Sequence, residues 1–485
     1  MPIIIPANSA ASGGFNVDNS VRLDGTSAYL YKVNPGTSST NNKRGTISCW
    51  VKKWGFPDNS IYLINAQNND QERFIIQISN GDQIIGSYRN ADGSNDVDIS
   101  TSLDRVYKDP AAWFNVVIAW NTSDGTGGNR MKLYVNGEEQ GLAFSTDIAQ
   151  NSIFPLNVPN YNSSYPITIG RNFQGGNADN YLPAYLAEFC FVDGQTLDGT
   201  SFGEFDEDSG IWKPIDVSGL TFGGLGWHLQ FENSGALGTD SNDNGTWTTA
   251  GLAAIDQTQD TCTNNFATLN PLDGVIGLGN STFSEGNLRF NTETASNVTW
   301  ATSTIGMTSG KFYFEAFLQT AADHNYIGIA DRPCPSLSTY FGAGAYDYGY
   351  KSSNGQKKNN GNESSYGNTY TTNDTVMCAV DLDNLKVYFG KNGTWQNSGN
   401  PESGSTGTGA AFTITTPSST NNGQYFFCVA DGTGSNNSRW ISNFGNPATA
   451  ISSGNADGNG YGNFEYAVPS GYLSLNTKNL SEANS

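Results

Sequence analysis

Long apolar runs are missing from this 485-residue chain. No stretch approaches the roughly 20 apolar residues that span a bilayer as a helix, so membrane insertion is not expected. Cationic side chains are scarce, with 24 Lys and Arg against 45 Asp and Glu and a formal net charge of −21. The cations are scattered singly, which argues against a basic face for nucleic acid or for an anionic membrane surface. The two histidines, His228 and His324, stand far apart, and the six cysteines form no CxxC pair. Neither set has zinc spacing, and Cys49, Cys190, Cys262, Cys334, Cys378 and Cys428 are expected as thiols, most of them buried in strands. Phosphate-cradling GxxxxGK[ST] and helix-opening GxGxxG loops are also missing. MPIIIPANSAASGG has no basic region ahead of an apolar core, so residues 1–14 are expected to be an arm rather than a secretory signal.

What the chain has in quantity is glycine, 57 residues, and aromatic side chains at 12%. Aromatics spent on strands and small polar residues spent on turns indicate an all-β protein. In the first half, Asn16–Leu30 is expected to form a strand pair about the Asp24–Gly25 turn. Thr46–Lys53 alternates Ile47, Cys49 and Val51 on one side with Trp50 on the other. Arg73–Ser79 and Gln83–Tyr88 flank Asn80–Gly81, a two-residue hairpin signal. Trp113–Trp120, Met131–Gly137, Ile167–Arg171 and Tyr185–Asp193 continue a run of short strands, the pattern of a sandwich. In the second half, Phe312, Phe314 and Ala316 alternate with Tyr313, Glu315 and Phe317, and Tyr326–Ala330 is a strand beyond a polar turn. Thr375–Phe389 holds two strands about Asp383–Asn384, followed by the strands Gln424–Asp431 and Trp440–Phe444. Residues 233–280 are an irregular stretch, expected as an ordered connector because Trp247, Leu252, Ile255, Phe266 and Leu269 need a surface to bury against. Residues 447–485 are expected as a tail held by Tyr461, Phe464, Tyr466 and Tyr472.

The succession LDGTSAYL, TISCWVKK, WFNVVIAWN, MKLYVNGEE, ITIGRN and YLAEFCFVDGQTL over residues 15–232 resembles a LamG-type concanavalin-like jelly roll. Over residues 281–446, GKFYFEAFL, YIGIA, YDYGYKSSNGQKKNNG, VMCAVDLDNLKVYFGKNGTW, YFFCVADG and ISNFG occur in the order of a SPRY domain. The two resemblances imply tandem concanavalin A-like antiparallel β-sandwiches that bind glycans or proteins through loops, with no catalytic constellation in the second. FGEFDEDSGIWKPIDVSG, WHLQF, DTCTNNFATLNPLD and VPSGYLSLNTKNL resemble the connecting segments of tailed-phage virion proteins that join such a pair. That likeness implies a fibre or appendage protein that resides in the virion. Its expected partners are other virion proteins, a host-surface glycan or protein receptor, and further copies of itself, a trimer by analogy.

Catalytic readings of the residues are weak. Gly199–Gly203 fits G-x-S-x-G with Asp206 and His228 downstream, but no helical segment follows, as a nucleophile elbow requires. Glu204, Asp206 and Asp208 alternate, yet the third position of an E-x-D-x-x-E strand is Ser209 and glycines bracket the stretch. A non-enzymatic protein is therefore expected. Calcium is the one cofactor suggested, at Asp240, Asn242 and Asn244, which place oxygen ligands at alternate positions before Gly245. Asp92–Asp98 is a weaker second stretch of the same kind. For carbohydrate, the densest cluster of aromatic and polar side chains is Tyr346, Asp347, Tyr348, Tyr350, Asn354 and Lys357, expected on a loop surface. Two alternatives remain open at this stage: a structural decoration or connector without a receptor, and a secreted-type protein that binds or cleaves glycans.

Overall fold

The computed structural model describes residues 14–34, 37–67, 72–89, 96–101, 105–140, 143–144, 147–159, 165–174, 177–272, 281–292, 298–336, 339–432 and 437–483. The described chain divides into two compact units, one ending at Thr263 and the other beginning at Asn264. The boundary falls inside the connector. Trp247 and Leu252 pack into the core of the first unit, and Ala267 and Leu269 into that of the second. Of the weaker calcium stretch, residues 92–95 lie outside the described residues.

The first unit is two antiparallel sheets face to face. One runs in the spatial order Glu138–Glu139, Met131–Val135, Phe114–Asn121, Arg44–Lys53, Ala184–Asp193, Ser20–Arg22 and Gln257–Thr258, with Trp227–Leu229 also paired to Ala184–Asp193. The other runs Ala143–Phe144, Asp96–Ser100, Ile84–Arg89, Arg73–Ile78, Ile61–Gln67, Ile167–Ile169, Tyr29–Lys32 and Thr248–Ala250. Alternation sends Ile47, Cys49 and Val51 of the first sheet and Phe74, Ile76 and Ile78 of the second into one core. Trp120 is fully buried there, and its indole N–H donates to Asn157 Oδ1 at 3.0 Å, so the apolar gain carries no orphaned donor.

The hairpin about Asn80–Gly81 forms, with Arg73 opposite Arg89 and Ile78 opposite Ile84, but through a three-residue loop in place of the expected two-residue one: Ser79 N–H bonds Gln83 O and Asp82 takes a φ of 62°. The strand pair about Asp24–Gly25 does not. Ser20–Arg22 pairs in one sheet and Tyr29–Lys32 in the other, so this turn is the corner of the sandwich. Asp24 holds the corner. Its carboxylate accepts from the backbone N–H groups of Thr26, Ser27 and Ala28 and from both hydroxyls of Thr26 and Ser27. Partial burial would raise its pKa, but the bonds from Ser27, Ala28 and Thr26 prevail and hold it at about 2.

In the second unit, one sheet runs Thr282–Ser284, Arg289–Asn291, Arg439–Asn443, Lys311–Thr320, Asp374–Asp381, Lys386–Lys391 and Thr394–Trp395. Phe412–Thr413 and Leu473–Ser474 join it off this path. The facing sheet runs Thr299–Thr302, Phe426–Asp431, Asn325–Ala330, Tyr348–Lys351, Gln356–Asn359 and Asn362–Ser365. Phe312, Phe314, Ala316 and Leu318 face the core. Tyr313, Met377, Ala379 and Tyr388 point the other way and are covered by Phe464 and Tyr472 of the tail. Leu473–Ser474 pairs parallel beside Phe312–Tyr313, and Asp457 binds the N–H and hydroxyl of Ser474, fastening the tail to itself.

Beneath this strap lies Glu315, 2% exposed, which accepts from Tyr313 Oη at 2.7 Å and from the N–H groups of Glu465 and Tyr466 at 3.0 and 2.8 Å. Burial pushes its pKa up to about 7 against those donors, which lower it. The strap and the sheet border a half-open pocket of about 350 Å³ lined by Glu315, Phe317, Asn443, Ser452 and Tyr466.

A candidate ligand-binding face

The loop cluster expected to bind carbohydrate does not assemble on the surface. Tyr348–Lys351 is an internal strand, paired with Asn325–Ala330 on one side and Gln356–Asn359 on the other. Period-two alternation turns Tyr348 and Tyr350 to the same side, and that side is the core. Tyr350 is 0% exposed and its hydroxyl donates to Asn368 O. Asp347 is buried as well, accepting from Gly344 N at 2.8 Å with the Arg332 guanidinium 3.4 Å away. Tyr346 packs against the core, and Lys357 donates to Ala411 O and lies over the Phe412 ring. Of the six, only Asn354 is exposed.

Asp240, Asn242 and Asn244 do come together, but not as a cation cradle. Asp240 Oδ1 accepts from His228 N and Asn242 N, each at 2.9 Å, an Asx turn. The amide nitrogens of Asn242 and Asn244 are turned to the carbonyl of Gly226, leaving nitrogen where calcium would require oxygen. The buried Lys32 ammonium stands 3.7 Å from Asp240 Oδ2 and supplies the counter-charge itself. This donor set does not fit calcium.

The catalytic alternatives resolve in the same manner. Asp206 accepts from Ser209 and pairs with Lys213, which also reaches Glu204. His228 bonds Glu188, not Ser201, at 2.7 Å in a buried pocket beside a β-bulge where Glu188 takes a φ of 46°. Among the described residues, no group of three or more His, Cys, Asp or Glu side chains is placed to hold a metal ion.

A different set of residues converges on the outer face of the second sheet of the first unit. There the register aligns Tyr31, Thr168, Asn65, Ile75, Ser87 and Asp98 across six strands. The neighbouring row aligns Gln67, Arg73, Arg89 and Asp96. Gly170 ends the strand Ile167–Ile169 with a φ of 91°, and a Cβ there would lie 2.6 Å from Leu23 Cδ1. That turn places the following residue, Arg171, over the ring of Tyr29, with Cζ 3.6 Å from the centroid and 5.0 Å from that of Phe173. Tyr29 lies 5.8 Å from Tyr31 and 6.2 Å from Tyr181, so the guanidinium sits among half-buried aromatic rings.

Arg171 is 7% exposed, its Nε has no hydrogen-bond partner, and it makes no ion pair with any described residue. Beside it, Asn65 donates to Asn172 Oδ1 at 2.8 Å, and Asn65 Oδ1 and Gln67 Oε1 are buried without partners. The half-buried rings and the planar cation mark this end of the sheet as the candidate ligand-binding face, while the Asn65 and Gln67 oxygens are closed off from solvent. Sequence reasoning passed over Arg171 because it read Ile167–Arg171 as one continuous strand. The available signal was Gly-Arg directly after a short β-branched run, together with two tyrosines at alternate positions in Tyr29–Tyr31.

Residues 24–196 match the Concanavalin A-like lectin/glucanases superfamily, and residues 311–429 match the SPRY domain. No curated protein matches the chain. Among solved structures it is similar to the SPRY domain of human HERC1, at 16% identity over 32% of this chain and 87% of that one, with a TM-score of 0.25. A heptameric SAP-like pentraxin from Limulus polyphemus is similar at 16% identity over 37% and 78% of the respective chains, TM-score 0.25. The CBM40 domain of a Ruminococcus gnavus IT-sialidase, solved with α2,3-sialyllactose bound, is similar at 13% identity over 36% and 95%, TM-score 0.25. Among the described residues, no helix is long and apolar enough to cross a membrane. The chain is thus an all-β protein carrying a LamG-like concanavalin-type domain and a SPRY domain.

Proposed function

We propose that this chain, a concanavalin-type domain followed by a SPRY domain, is a non-enzymatic adhesion protein whose first sandwich holds a host-surface glycan on the Tyr29 and Arg171 face. The observation that carries the reading is Arg171, held with Cζ 3.6 Å from the centre of the Tyr29 ring and without an ion pair to any described residue. Sugars present apolar ring faces to aromatic side chains, and the half-buried rings of Tyr29, Tyr31 and Tyr181 offer such a surface. The setting we propose is a tailed-phage particle, with the chain in a fibre or appendage and in contact with other virion proteins. Support for that setting is the likeness of the connecting segments FGEFDEDSGIWKPIDVSG, DTCTNNFATLNPLD and VPSGYLSLNTKNL to those of such proteins.

Incubation of the purified chain with host-type surface polysaccharides, with and without calcium, tests the reading by scoring retention and release of reducing ends together. Retention without release is expected, unchanged by calcium. Tyr29→Ala combined with Tyr181→Ala is expected to reduce retention at least about tenfold, since stacked rings contribute roughly 1 kcal/mol or more apiece. Release of reducing ends would overturn the non-enzymatic reading.

A further inference from the structure

We infer that the ligand of this face carries an anionic group, a carboxylate or a sulfate ester on a sugar, and that Arg171 receives it; the inference rests on the glycan reading above. A guanidinium stays charged at any physiological pH, so burying it without a counter-charge is costly. Two other buried or half-buried arginines of this unit are engaged by oxygen acceptors: Arg22 reaches Ile255 O and Asp256 Oδ1, and Arg130 donates to Asp124 O and Ile148 O. The Arg171 guanidinium has no such acceptor among the described residues and lies over aromatic rings.

Stacking on Tyr29 engages a flat side of the guanidinium and leaves its in-plane N–H groups for an oxyanion, which a guanidinium grips bidentately. A neutral sugar could lie against the tyrosine rings but would leave the cation unmatched, whereas an acidic sugar answers its charge. The net charge of −21 does not oppose this at contact range. At physiological ionic strength the Debye length is about 8 Å, so the distant carboxylates are largely screened while a direct ion pair is not.

The test uses the full chain and four immobilised probes: polygalacturonate, polygalacturonate with its carboxyl groups amidated, dextran sulfate and dextran. Retention of polygalacturonate or of dextran sulfate is expected to exceed that of its neutral partner at least about tenfold, and which acid prevails distinguishes a carboxylate from a sulfate ligand. Arg171→Gln should abolish the difference, and Arg171→Lys should keep part of it by retaining charge without the fork. Thermal melting of both variants separates loss of the ligand from loss of the fold. Equal retention of neutral and acidic probes, or a preference that survives in folded Arg171→Gln, overturns the inference while leaving the glycan reading intact. Retention of none of the four overturns both.

Discussion

The two units share an architecture and treat the outer faces of their sheets in opposite ways. The second unit roofs one face with its own tail, so that Tyr313, Met377 and Tyr388 disappear beneath Phe464 and Tyr472. The first leaves Tyr29, Tyr31 and Tyr181 half-buried around a cation that no described side chain answers with a charge. An apolar face must be covered to contribute stability, whereas a face of rings, amides and one arginine gains its value from what comes to it. In this pair of sandwiches one outer face therefore belongs to folding, and the other is the face we propose for recognition.

The largest test of that contrast is removal of the roof. Phe464 is fully buried, with its ring 5.1 Å from that of Tyr313 in an edge-on arrangement. Phe464→Ala is expected to lower the stability of the second unit by about 3–5 kcal/mol in denaturant unfolding. A loss below about 1 kcal/mol would show that the tail is no structural part of the sandwich.

Glu315 sharpens the comparison further, because it places a titratable group between sheet and roof. Its folded pKa of about 7 lies above the ordinary 4.5, so between those values the folded chain holds a proton that the unfolded chain has lost. Stability of the second unit should accordingly fall as pH rises through that window, by up to about 3 kcal/mol. Thermal melting of wild type and Glu315→Gln from pH 4 to 8 reads the effect. The variant should lose the slope, and parallel curves would exclude Glu315 as its source.

Asp24 carries the smallest expected effect and belongs to the first unit, whose corner is held locally rather than by a strap. Asp24→Ala should cost about 1–2 kcal/mol at neutral pH, by analogy with the loss of a capping carboxylate. The depressed pKa sets the sign. This contribution is present above the ordinary carboxylate range and fades as pH falls towards about 2, so wild type and variant should converge in acid.

Local pattern in the sequence was enough for the all-β class, for the strands with clear alternation and for the Asn80–Gly81 hairpin, because each depends on neighbours along the chain. The same pattern misplaced what depends on distant partners. Asp24–Gly25 carries a turn signature whether its strands pair with each other or part into two sheets, and only the packing of the core chose the second. Tyr348 and Tyr350 alternate as a surface pair would, but with strands on both sides their shared face became the interior. Asp240, Asn242 and Asn244 read as oxygen ligands until Lys32, from a remote strand, was brought to the carboxylate.

The sequence by itself determined the all-β class, since strand periodicity and turn chemistry are local properties, and its motif order implied, by resemblance, two sandwiches in succession. The tertiary structure alone brought Arg171 onto Tyr29, because that meeting depends on sheet register and on one left-handed glycine. Register is settled by burial of the opposite face of the sheet, a long-range condition that no short window of residues contains.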